Sequence, residues 1–241
     1  MKLRWLLLGP GVATLGCLTS SALAQKLVES KPATPSHEES LRYVVKWPGG
    51  FSHGQVNLTS HQSGAGWDLM MSVDAGIPGF QIADRFHSLT QPGFCSLEFV
   101  RETTHGTRKS NEKTTFDYPA KVAHRVSLIA GGTSDLGLSS NCAYDALAYL
   151  FVVRGELAKG LATAPAQIFF GAAYSIRLET AGQQTLTVGD KSEPADRVAV
   201  HVKGPASTSD FEIFFARDPM RTPLLAHIPT SIGAISLELS P

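Results

Sequence analysis

Charge is scarce in this sequence, and neither sign prevails. Charged residues make up 17% of the 241 residues, and 21 Lys+Arg balance 21 Asp+Glu. The chain therefore has no global basic field with which to gather nucleic acid or anionic lipid. Tyr and Trp are few, at 5 and 3, which argues against an extensive aromatic platform for sugars. Only 3 cysteines occur, and no two are spaced C-x-x-C, which disfavours thiol-exchange catalysis. Among the eight His no H-E-x-x-H or H-x-H pair appears, so the compact metal-ligand spacings are missing. The P-loop and the dinucleotide glycine fingerprint are absent. The 43% apolar share excludes a disordered, tail-like chain. The length suits one large β domain or two small domains.

The first 24 residues read as an export signal. Lys2 and Arg4 give a basic start, Trp5–Leu18 a mostly apolar stretch, and Ala22-Leu23-Ala24 the small residues of a peptidase site. The apolar stretch is broken by Gly9, Pro10 and Gly11, and it falls short of the roughly 20 residues of a membrane span. Cys17 follows Gly16 as a lipidated Cys would, but Thr14 stands where an aliphatic residue is wanted. Cleavage after Ala24 leaves two cysteines, Cys95 and Cys142. In an oxidising compartment that even pair reads as a disulfide. Residues 25–40 are polar, with Pro32 and Pro35, and read as a flexible leader. A single β-rich domain is expected over 41–241.

Within that domain the apolar period is two, the mark of strands with one buried face. Leu41, Tyr43, Val45 and Trp47 share a face, as do Trp67, Leu69, Met71, Val73 and Ala75. Gly49-Gly50 and Ser63–Gly66 mark turns, which outlines strands near 41–48, 52–61 and 67–76. Further alternating sets follow: Phe80/Ile82/Phe86, Cys95/Leu97/Phe99, Val122/His124/Val126/Leu128, Tyr174/Ile176/Leu178, Val198/Val200/Val202, Phe211/Ile213/Phe215 and Ile235/Leu237/Leu239. The polar stretch Thr107–Tyr118 reads as a solvent-facing or edge strand. Ten or more strands at this spacing point to a large antiparallel sheet, a sandwich or a barrel-like wrap.

One segment breaks the period. Ala143–Val153 has good helix formers and no alternation, with Leu147, Leu150 and Phe151 at helical spacing. Ser140 or Asn141 is the expected cap, Asp145 sits in the first turn, Arg154 closes the helix and Gly155 helps to end it. A helix apolar nearly all round belongs in an interior. Its expected contacts are Trp67, Leu69, Val200 or Ile213, and the disulfide would tie its start to the strand carrying Cys95.

For site chemistry the sequence offers little. His53 and His61 flank one expected strand, but surface positions are the simpler reading. Ser134, in Gly131–Asp135, lacks a helix behind it and makes a poor nucleophile. Two acids on separate strands leave no sequence trace, so Asp84, Glu98, Asp117 and Asp145 are the carboxylates to locate. Asp117 and Asp218 stand at strand ends, where turn-forming roles fit. Asp145 or Asp117 is a candidate ion-pair partner for Arg154. No catalytic, cofactor or metal residue is assigned.

Three landmarks carry a resemblance: the opening strand Leu41–Gly50 with the later Phe116-Asp117, the run Cys142–Arg154 followed by Gly160, and the closing Phe214–Pro223 with its final strand. In order and spacing they resemble the bacterial family called domain of unknown function 3108, although Phe214-Phe215 stands where a Trp is expected. The resemblance implies an exported bacterial protein and supplies no activity. The fold expectation is mainly β, a large curved antiparallel sheet or open barrel wrapping one buried α-helix, with a two-sheet sandwich as the alternative. The functional expectation is a periplasmic or secreted cell-envelope protein, non-enzymatic, that binds an apolar or amphipathic ligand or a partner protein in its concave face. A carboxylate-dependent hydrolase of an envelope polymer and a structural assembly factor are the alternatives. An apolar cavity left unfilled by the helix would favour the carrier.

Overall fold

A computed structural model describes residues 38–48, 54–77, 79–230 and 233–240. The expected export signal, Cys17, most of the expected leader, His37, Gly49-Gly50 and His53 lie outside the described residues. The chain begins with eight strands: β1 (Glu39–Lys46), β2 (Gln55–Ser63), β3 (Gly66–Ile77), β4 (Phe80–Thr90), β5 (Ser96–His105), β6 (Arg108–Asp117), β7 (Val122–Ser127) and β8 (Thr133–Gly137). A two-residue β9 (Tyr144–Asp145) leads into the helix α1 (Ala146–Ala158). Six strands close the chain: β10 (Ala166–Phe169), β11 (Ala173–Val188), β12 (Lys191–Lys203), β13 (Thr208–Ala216), β14 (Pro223–Thr230) and β15 (Gly233–Ser240).

All fifteen strands form one curved, unclosed sheet in the order β8-β7-β6-β5-β4-β3-β2-β1-β15-β14-β13-β12-β11-β10-β9. Sequence neighbours pair as hairpins almost throughout. The long-range exception is β1 against β15, with Tyr43 opposite Leu239 and Val45 opposite Leu237. It joins the two ends of the described chain in mid-sheet. A single pair, β9 with β10, is parallel. Parallel neighbours need a crossover, not a tight turn, and α1 is that crossover. The helix is thus held against the sheet by topology as well as by its apolar sequence.

The period-two reading holds in the first three strands. Tyr43, Val45, Val56, Leu58, Leu69 and Ala75 are all buried, and Leu41, Trp47, Trp67, Met71 and Val73 pack against them. Two strand readings are corrected. The polar strand β6 is not at an edge: it pairs with β5 and β7, and its Glu112, Thr114 and Phe116 are buried. In β7 the inward positions belong to Ala123 and Arg125, while Val126 and Leu128 are exposed. The cause is the same in both. Glu112 accepts hydrogen bonds from Arg101 and Arg125, so charge faces inward, and the apolar alternates of β7 are turned to solvent.

The helix boundaries also move. Asp145 has extended backbone angles, and its Oδ1 accepts the N–H groups of Leu147 and Ala148 at 2.9 Å each. It is the cap itself, a role worth about 1 kcal/mol. Ser140 instead bonds within its own turn, to Cys142. Gly155 is buried inside the helix, which runs on to Ala158; Gly160, at φ +71°, takes the left-handed turn that ends it. Arg154 is fully buried mid-helix and pairs with Glu39, not with Asp145 or Asp117. Its Nε also donates to the Met220 carbonyl at 3.0 Å.

Cys95 and Cys142 are joined, their Cα atoms 4.9 Å apart, across 47 residues of sequence separation. Closing a loop of that length limits the unfolded chain by about 4 kcal/mol as an upper figure. The bond fixes the segment before β9 to the start of β5, as expected. Phe94, next to Cys95, stacks between Trp67 (5.9 Å between ring centroids) and Phe151 (5.5 Å).

Candidate functional site

Side chains of α1 leave the helix in two directions with different surroundings. Leu147, Ala148 and Phe151 are buried in the cluster that contains Leu69, Phe94, Phe99 and Phe116. Tyr149 and Val153 belong to a second cluster with Ile168, Ile176, Val198, Val200 and Phe215. Val200 and Ile213 therefore meet this second side of the helix, not Phe151. The second side is incompletely filled. A cavity of about 370 Å³ lies between Tyr149, Leu150 and Val153 of the helix and Ile176, Leu178, Val200, Val202, Phe211 and Ile213 of the sheet.

A second cavity of about 260 Å³ adjoins it, bounded by Tyr43, Leu58, Met71, Phe86, Phe99, Leu147 and Leu237. Ala146, Leu150, Phe170, Phe211 and Ile213 line both. The walls are aliphatic and aromatic almost throughout. Polar side chains enter only as Tyr149, Tyr174 and Ser209 in the first and Tyr43 in the second. Tyr43 donates its hydroxyl to the Pro223 carbonyl at 3.0 Å, and burial pushes its ionisation far up. Burial pushes the Tyr149 hydroxyl up to about 12. Both phenols stay neutral at physiological pH, so neither cavity holds a charged wall. Ligand pockets commonly have volumes of about 300–1,000 Å³, mostly apolar walls and a few placed polar groups.

The carboxylates singled out from the sequence do not come together. Asp84 bonds His105 at 3.0 Å and the Thr104 N–H at 3.3 Å. Glu98 pairs with Lys113. Asp117 accepts the Ala120 N–H at 2.9 Å, and Asp218 accepts the N–H and hydroxyl of Thr222; both are turn-forming, as expected. Besides its capping bonds, Asp145 accepts the hydroxyls of Ser88 and Ser96 at 2.5 and 2.6 Å. Burial pushes its carboxyl up, while these four hydrogen bonds pull the other way. With every oxygen engaged by structural donors, its geometry is that of a buried cap. Ser134 lies on β8, where its hydroxyl receives a 3.5 Å contact from Arg125. His61 faces Glu38 at 3.8 Å and is half exposed. Among the described residues no group of three His, Cys, Asp or Glu is arranged to hold a metal, and no helix is long and apolar enough to cross a membrane. The edge strands of the open sheet are short, five residues in β8 and two in β9.

Sequence reasoning reached the helix and the strand faces but missed two arrangements. One is the Arg154–Glu39 pair, which links the helix interior to the first residue of β1. The other is the inward group Arg101–Glu112–Arg125. A residue period cannot reveal either, because each joins strands far apart or breaks the apolar-in rule.

The family model described as Protein of unknown function (DUF3108) matches residues 42–240. The chain belongs to that family, and the match spans the sheet from β1 to β15. No curated protein matches it in sequence. In structure it is similar to the beta-barrel-like protein of domain of unknown function DUF1849 from Brucella abortus. That likeness has a TM-score of 0.57 at 9% identity and covers 84% of this chain and 95% of the other. At that identity the likeness concerns the fold alone.

Proposed function

We propose that this DUF3108 protein is an exported, non-enzymatic carrier that holds an apolar or amphipathic ligand between α1 and the concave face of its sheet. The supporting observation is the pair of adjoining apolar cavities between α1 and the sheet, one beside Tyr149 and Val153 and the other beside Leu147, while Ala148 and Phe151 are packed. A void with apolar walls forfeits the contacts that its lining would otherwise make. Native interiors keep few such voids larger than a water molecule. The larger of the two, at about 370 Å³, lies within the usual range of ligand pockets. Export is supported by the Met1–Ala24 pattern, with Gln25 as the mature start, and by a disulfide suited to an oxidising compartment.

Two measurements test this. Mass spectrometry under native conditions of protein purified from the cell envelope should reveal a co-purifying lipid-sized adduct. An uncharged fluorescent probe, N-phenyl-1-naphthylamine, should bind to stripped protein and be excluded by Leu150→Phe, which fills space shared by both cavities. A bare mass together with no probe binding would overturn the carrier reading.

A further inference from the structure

We infer that Arg101 and Arg125, gathered around Glu112, receive the anionic head group of an amphipathic ligand whose chain occupies the apolar cavities; this rests on the carrier reading above. The three side chains lie on the inward faces of β5, β6 and β7, in alternation with Phe99, Phe116 and Ala123. Arg101 Nη2 donates to Glu112 Oε2 at 2.8 Å, and Arg125 Nη2 donates to Oε1 at 2.7 Å. Two guanidiniums share one carboxylate, which leaves one positive charge uncompensated within the group. The neighbouring inward carboxylate, Asp84, is already taken by His105 and the Thr104 N–H.

The Nε atoms of both arginines are buried and have no hydrogen-bond partner among the described residues. Buried donors are seldom left unmet in native proteins. A guanidinium offers its donors as a planar fork that suits a carboxylate or a phosphate. The cluster is also placed at the end of the apolar walls. Arg101 Cζ lies 5.0 Å from the centroid of the Phe170 ring, and Phe170 lines both cavities. The next residue, Gly171, has φ +74°, and a Cβ there would come within 2.8 Å of Arg101 Nη2 and 2.9 Å of Glu112 Oε2. Any other residue at 171 would crowd the cluster. An apolar chamber bounded by a ring that carries a cation on its face is the layout an anionic amphiphile requires.

Displacement of N-phenyl-1-naphthylamine from the full chain by oleate, methyl oleate and 1-oleoyl lysophosphatidate tests the assignment. Oleate or lysophosphatidate should displace the probe at about tenfold lower concentration than methyl oleate. The stronger of the two anions identifies the head group as carboxylate or phosphate. Arg101→Met and Arg125→Met should each reduce that preference to about twofold or less, and a far-UV circular dichroism spectrum like that of the unmodified protein certifies that the variants fold. Glu112→Gln removes the competing carboxylate, so anion binding should tighten severalfold. Equal displacement by acid and ester in the unmodified protein would overturn the head-group site and leave the carrier standing. Displacement by none of the three would overturn both.

Discussion

The two sides of helix α1 are built from the same kinds of residue and meet opposite fates. Ala148 and Phe151 are sealed in the cluster of Phe94 and Leu69, beside the disulfide and the Asp145 cap. Tyr149, Leu150 and Val153, one or two residues away, border empty space. Composition does not explain the difference; anchoring does. The packed side is held by elements with nowhere to move: the Cys95–Cys142 bond, the Ser88 and Ser96 hydroxyls on Asp145, and the Tyr118 hydroxyl on the Ser96 carbonyl at 2.6 Å. The open space faces Ile176, Val200 and Ile213 of the later strands and, in the second cavity, Tyr43, Leu58 and Met71 of the first three. A helix fixed rigidly on one side can leave a chamber on the other without losing its place.

If that division is real, the largest effect comes from the packed side. Phe151 is 2% exposed and stacks on Phe94, with Arg154 over its ring at 5.0 Å. Phe151→Ala should cost about 3–5 kcal/mol, a large part of the roughly 5–15 kcal/mol that holds a domain folded. Chemical denaturation of the oxidised protein measures it. A loss below about 1 kcal/mol would mean that the helix is peripheral and that the two sides do not differ as described.

The second effect concerns the polar group that borders the open side. Burial alone would raise the Glu112 carboxyl, but the hydrogen bonds from Arg125 and Arg101 outweigh it and hold the group below its usual 4.5. A depressed carboxyl favours the folded state above its unfolded value and loses that contribution as pH falls through the folded value. Stability should therefore decline below about pH 4.5, and Glu112→Gln should flatten that decline. At neutral pH the substitution should cost about 1–2 kcal/mol, at the low end for charged hydrogen bonds because both arginines are partly exposed. Melting curves from pH 3 to 7 decide it; parallel curves for the two proteins would remove Glu112 from the acid response.

Much of this architecture was legible beforehand, for a physical reason. Strands with one buried face advertise themselves by alternation, so Leu41–Trp47 and Trp67–Ala75 were readable, and the unbroken apolar run after Cys142 could only be an interior helix. The disulfide followed from a count of two. What stayed hidden were choices made by tertiary contact. In β7 the more apolar set, Val122, His124 and Val126, is not the inward one, and only Glu112 on the neighbouring strand selects Arg125 for the interior. Asp145 reads equally well as a first-turn acid and as a cap until β9 imposes extended angles on it. Arg154 at a helix end and Arg154 in a helix core differ only in where the helix stops, and the buried Gly155 gave the wrong stop. The cavities were invisible because a period reports which residues face inward, not whether they fill the space.

The smallest expected change in stability is the sharpest test of the comparison, because its sign depends on the side. Adding bulk to a packed core forces side chains off their rotamers and costs about 1–3 kcal/mol. Ala148 is fully buried, so Ala148→Leu should incur that cost. Leu150 lines both cavities, so the added carbons of Leu150→Phe enter space that is already open. They bury apolar surface at about 25 cal/mol per Å² without displacing a neighbour. Leu150→Phe should therefore be neutral or stabilising by up to about 1 kcal/mol, while it blocks the uncharged probe. The same enlargement on two sides of one helix would then give opposite signs. A clear destabilisation by Leu150→Phe would mean that the sheet already closes on the helix there, leaving no chamber for a ligand and making the two sides of α1 alike.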